Sequence, residues 1–126
     1  MPQKFLWSLG GNVPGGAGVN AGGTEEVDAI TSAEVQLAEG VSTDRELALQ
    51  IDDVDKLAFF ILTSSLNDGS VEVETDTATR TKLTGPVILF GEAIKLFAGD
   101  LDKIKLKNAS ATTAADIRIL MGSKLG

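Results

Sequence analysis

Two groups of residues in this chain have the types and spacing to do chemistry, and each implies a different one. Asp52, Asp53 and Asp55 in "DDVD" bring carboxylate oxygens close together, and Asp100 with Asp102 forms a second such group. Clustered carboxylates suit calcium, which takes about six to eight oxygen ligands. The Asp-x-Asp-x-Asp-Gly spacing and distal Glu of a dedicated calcium loop are missing, so the expected role of "DDVD" is a solvated turn between strands. Two carboxylates could also serve as acid and base on a glycosidic bond. Nothing in the order of residues makes a pair converge on a cleft, and with no tyrosine and aromatics at 5% there is little on which to stack a sugar.

The second group is glycine. Residues 10–23, "GGNVPGGAGVNAGG", hold half of the chain's 14 glycines, and Gly16, Gly18 and Ala21 fit G-x-G-x-x-A. That fingerprint works only when a strand runs into the turn and a helix opens directly after it, so that helix amides meet a pyrophosphate. "NVPG" before it and Gly22-Gly23 after it favour neither, so no nucleotide site is expected. The phosphate loop G-x-x-x-x-G-K-[ST] does not occur.

Composition removes most other chemistry. The chain has no cysteine and no histidine, which excludes thiol nucleophiles, Ser-His-Asp triads, disulfides and the usual zinc and copper sites. No enzyme activity and no cofactor are expected. Eleven Lys and Arg against 18 Asp and Glu leave a net charge of −7. Phosphate neutralisation by basic residues dominates nucleic-acid affinity, so neither nucleic acid nor an anionic membrane is an expected partner. "MPQKFLWSLGG" has too short an apolar run for a secretory signal, and the longest such run, Leu57 to Leu62, is far short of a membrane span. Synthesis as a soluble product in the cytoplasm is expected, and the glycosylation pattern at Asn108 is expected to be inert.

The elements that must carry these residues are strands. At 126 residues the chain suits one domain with a sufficient core. From Val27 on, short segments alternate with period two between turn residues. Val35 and Leu37 share a face, as do Leu47, Leu49 and Ile51. "KLAFFILTSS" is apolar on both faces, Leu57, Phe59 and Ile61 opposing Ala58, Phe60 and Leu62, as befits a central strand. Asn67-Asp68-Gly69 then leads into Val71 and Val73, and predicts a hairpin over residues 56–76. "PVILFG", "AIKLFAG", "DKIKLKNAS" and "DIRILMG" complete about eight strands, whose spacing predicts an all-β, single-domain antiparallel β-sandwich of jelly-roll type. "TSAEVQLAE" could instead form a short helix.

Residues 1–26 differ from the sandwich domain expected over 27–126. They read as an extended Gly-rich arm without strand periodicity, carrying an apolar head of Phe5, Leu6 and Trp7. Burying those side chains returns roughly 1.5–3 kcal/mol each, while fixing each backbone residue costs roughly 1–2 kcal/mol. The arm is therefore expected to need further contacts to become ordered. Phe5, Leu6 and Trp7 are the expected anchor, either on the domain's own sheet or on a neighbouring copy or larger scaffold.

An acidic β-sandwich without His or Cys, with a glycine-rich N-terminal arm and a "D-x-I-K-L" strand before a closing hairpin, resembles the small β-sandwich virion structural proteins of tailed bacteriophages. The capsid decoration proteins are the nearest in style. The resemblance implies a virion location and a homo-oligomer, commonly a trimer, that clamps a larger protein shell such as a major capsid protein without performing chemistry. It carries over no site residue, because it rests on pattern over most of the chain. The alternative is a ligand-binding β-sandwich for carbohydrate or calcium.

Overall fold

Period-two alternation becomes two stacked sheets in the computed structural model of the chain, which describes residues 3–12, 14–40, 45–49, 54–75, 81–97 and 103–124. Ten strands form among the described residues: β1 (Gln3–Asn12), β2 (Gly18–Val27), β3 (Ala29–Leu37), β4 (Arg45–Ala48), β5 (Leu57–Ser64), β6 (Val71–Glu74), β7 (Thr81–Lys82), β8 (Val87–Phe90), β9 (Lys103–Asn108) and β10 (Ala115–Ser123). One sheet has the order β3-β10-β5-β8 and the other β4-β9-β6-β7, while β1 and β2 form a separate two-stranded ribbon. Every pairing is antiparallel. The chain is thus an all-β sandwich.

Alternation explains the core between the sheets. Ile117, Ile119 and Met121 of β10 and Phe60 and Leu62 of β5 point into it from one side. Val71 and Val73 of β6 and Ile104 and Leu106 of β9 meet them from the other. Asn108, only 3% exposed, ties the two layers together. Its side-chain amide donates to the carbonyl oxygens of Leu37 (3.1 Å) and Thr113 (2.9 Å), and its Oδ1 accepts from the Ser110 backbone N–H (3.0 Å). The amide that a glycan would require is fully used inside the protein.

Strand β5 is covered on both faces, as its sequence suggests, but its alternation is interrupted. Gly122 lies opposite Phe59 and Ser123 opposite Leu57, so Ala58 has no partner across the ladder. A bulge of this kind shifts the faces by one residue. Leu57 consequently joins Phe60 and Leu62 between the sheets, while Ala58, Phe59 and Ile61 lie on the outer face.

Four sequence expectations are corrected. The hairpin over residues 56–76 does not form, because β5 and β6 belong to opposite sheets. Gly69 does adopt the positive φ of a reversal (+92°), and the Asp68 carboxylate accepts from the Ser70 backbone N–H at 2.9 Å. Turn chemistry fixes the reversal and leaves open whether the returning strand pairs or crosses over. The closing hairpin fails in the same way, since β9 and β10 lie in different sheets. "AIKLFAG" is not a strand over its described residues, 93–97. Gly91 ends β8 at φ +58°, and a 3-10 turn (Gly91–Ala93) leads into a one-turn helix, α1 (Ile94–Phe97). Ile94 is buried and Leu96 is 80% exposed, whereas a strand would put both on one face. Finally, residues 1–26, read as an arm without strand periodicity, form strands from Gln3 on, with the pairing running from Gln3↔Val27 to Asn12↔Gly18. Their main-chain ladder supplies stabilisation that an estimate from three side chains omits. The alternative helix over "TSAEVQLAE" is strand β3, and Ile51 lies outside the described residues.

Replacing Asn108 by Ala leaves the buried Leu37 carbonyl and the part-buried Thr113 carbonyl without that donor. The expected loss is about 2–4 kcal/mol, on the order of 1–3 kcal/mol per unsatisfied group, read as a lower midpoint in urea unfolding.

Candidate functional site

The β1–β2 ribbon crosses the outer face of the β3-β10-β5-β8 sheet. Phe5 stacks on Phe59 of β5 (ring centroids 4.0 Å apart, 19° between planes), and Trp7 stacks on Phe90 of β8 (4.4 Å, 29°). Phe59 and Phe90 are themselves cross-strand partners. Strand β1 therefore runs along that row, from the sheet interior to its edge at β8.

Two glycines make the stack fit. A β-carbon at Gly122 would collide with the Phe59 ring, so the missing side chain is the space the ring fills. A β-carbon at Gly23, opposite Trp7, would come within 3.2–3.3 Å of Nε1, Cε2 and Cζ2 of the indole. Each ring thus lies flat on a bare backbone, a device that also restores packing lost at a strand glycine. One polar atom is left over. Trp7 Nε1 is buried without a hydrogen-bond partner, a cost of about 1–3 kcal/mol that the stacking must offset.

The structure divides the expected anchor. Phe5 and Trp7 face their own sheet, whereas Leu6, between them, points away and is 76% exposed. Beyond Trp7 the ribbon passes the edge strand. Residues directly opposite in an antiparallel pair share a face, so Leu9, Val19 and Ala21 continue the surface that carries Phe5 and Trp7. There their side chains are largely bare: Leu9 is 52% and Val19 69% exposed. Residues 5–24 contain no charged side chain. An uncharged β-ribbon that is anchored at its base and bare at its end is the main candidate site.

The two flanks of the ribbon differ. Beside β1 runs an apolar groove of about 270 Å³ over Ile61 and Ile88, walled by Phe5–Leu9 and Phe90. On the other flank Glu25 of β2 helps line a polar cleft of about 360 Å³ with Asp55, Glu92 and Lys95. Lys95 Nζ pairs there with Asp55 (2.5 Å) and Glu92 (2.9 Å). These bonds, Asp55 first, hold the Lys95 pKa above the ordinary lysine range. The Asp55 and Glu92 carboxylates are both turned to the lysine. Among the described residues no group of three potential metal ligands occurs. Asp52, Asp53, Asp100 and Asp102 lie outside the described residues. Gly18 and Ala21 sit within β2, so no helix opens after the G-x-G-x-x-A stretch.

Comparison with known protein families, with characterised proteins and with solved structures returns no match. The site therefore has to be interpreted from its own geometry. Sequence reading found Phe5 and Trp7 through their place beside the glycine run. It missed Phe59, Phe90, Gly23 and Gly122 as their seat, because which strands lie side by side is a tertiary fact.

Trp7 is the only tryptophan, so its emission reports ribbon docking. Phe5→Ala is expected to weaken docking by about 1–3 kcal/mol and to shift Trp7 emission to longer wavelength in a transition that precedes loss of the β-sheet circular dichroism. Gly122→Val is expected to go further, displacing Phe59 and giving a red-shifted Trp7 even without denaturant.

Proposed function

We propose that this chain is a non-enzymatic structural protein of a virus particle, of the capsid decoration type, that associates with copies of itself and holds on to a larger protein shell. The observation that carries this reading is the ribbon's bare end. Ten-residue strands are longer than docking on the domain's own sheet needs, and their apolar residues Leu6, Leu9 and Val19 stand in solvent. Keeping such residues exposed on a long, uncharged edge invites pairing with another chain. A protein that works alone gains nothing from it.

Two further features agree. The sheet orders β3-β10-β5-β8 and β4-β9-β6-β7, with the chain crossing between sheets at every step from β3 except β6 to β7, support the jelly-roll reading, an architecture common in viral capsid domains. The acidic net charge of −7 keeps such a protein apart from nucleic acid, which leaves protein as the partner the ribbon fits.

The test is to remove the bare end and keep the anchor. Replacing residues 10–20 by Asn-Gly joins Leu9 to Ala21, which already face each other, through a two-residue turn of the kind hairpins favour. The intact chain is expected to sediment as an oligomer, and the shortened chain as a monomer with unchanged Trp7 emission and no hold on its shell. An intact chain that is monomeric at every concentration would sink the reading.

A further inference from the structure

We propose that the apolar groove beside β1 is filled by the ribbon end of a second copy of this chain, laid antiparallel along the free edge of β1 about a twofold axis near Leu9. The inference rests on the reading of the chain as self-associating, and it names the contact.

Three observations lead to it. First, among the described residues β1 pairs only with β2, so one edge of this ten-residue strand is unpaired. That edge faces the groove, because the groove is walled by β1 whereas the opposite flank belongs to Glu25 of β2. A strand entering it would gain both a hydrogen-bonding edge and an apolar floor, Ile61 and Ile88, the combination used when a peptide extends a sheet.

Second, the occupant must be an uncharged strand with an apolar face, and the molecule carries one. Leu9 and Val19 lie on the face that already packs against this sheet at Phe5 and Trp7, and they are bare. From Trp7 to Asn12 the strand reaches about 17 Å at roughly 3.3 Å per residue, enough to cross three or four neighbouring strands. Under a twofold axis each ribbon end covers the other copy's groove while its own groove is covered in return. Both bare surfaces disappear together, as an isologous contact requires.

Third, charge permits approach here. Two copies of net charge −7 repel, while residues 5–24 bear no charge and the groove has no charged lining residue. Three other sheet edges carry charged residues, Glu34 on β3, Arg45 and Glu46 on β4, and Lys82 on β7, and the fourth, β8, is uncharged but only four residues long. β1 has only Lys4, near its start. The unguarded long edge is the one that expects a partner.

The chain has no cysteine, so a single introduced cysteine can form a disulfide only with another copy. Under mild oxidation Ser8→Cys and Leu9→Cys are expected to give linked dimers about a hundredfold faster than Gln36→Cys or Glu46→Cys, since paired strands hold the thiols at about millimolar effective concentration. The double variant Leu9→Glu, Val19→Glu is expected to be monomeric with unchanged β-sheet circular dichroism. If the intact chain is an oligomer but residues 8 and 9 link no faster than 36 and 46, or the double variant keeps its size, this contact is wrong and the structural role stands. A monomeric intact chain removes both. Should the double variant fail to fold, the cysteine comparison alone decides.

Discussion

A strand that is apolar on both faces obliges the protein to build a layer on each side of it. Strand β5 is that strand here. Phe60 and Leu62 are covered by the second sheet, and Phe59, on the opposite face, is fully buried only because Phe5 lies on it. Without the ribbon, Phe59, Phe90 and half-buried Ile61 and Leu120 would form an open apolar patch. The ribbon is therefore a third layer of the fold as well as a projection from it. Its grip is local, two stacked rings and Val27 at the base, and this leaves most of its length unengaged.

That economy depends on glycine. Gly122 sits in β10 among residues that pack well, in a place where any side chain would strike Phe59. A bulge one residue further on, opposite Ala58, shifts Leu57 inward while keeping Phe59 outward. Together the bulge and the glycine turn one strand's aromatic pair, Phe59 and Phe60, toward different layers. Gly23 does the same service for Trp7 from the ribbon side, and the indole N–H is left unpaired because the seat is bare backbone.

How much of this was legible depended on whether a signal is local. Strands such as β3, β9 and β10 bury one face, so Val35 and Leu37 or Ile117, Ile119 and Met121 announce themselves by period two. Strands β1 and β2 bury almost nothing, and a pattern with no buried face has nothing to alternate, which is why the glycine run read as an arm. The reversal at Asn67-Asp68-Gly69 was legible from turn chemistry, but its destination was not, because pairing and crossing over use the same turn. "IKLF" mimicked a strand because its apolar residues are too few to separate period two from a single helical turn. At the candidate site Trp7 and Phe5 were visible and their seat was not.

An unguarded strand edge can lead either to a closed pair or to an open polymer. Open edges propagate when the contact on one side differs from that on the other, since each added copy presents a new end. Among the described residues only β1 offers an uncharged long edge backed by an apolar floor. Its neighbour β2 begins its base with Glu25 and Glu26 and borders the cleft held by Lys95, Asp55 and Glu92. Strand β8, the other uncharged edge, has four residues, short enough to template little. The proposed pairing through β1 about a twofold axis would use the one long uncharged edge described in each copy and leave only the short β8 edge open. The asymmetry between the ribbon's two flanks is what would let the proposed contact close on itself, and the net charge of −7 would oppose further association of such pairs.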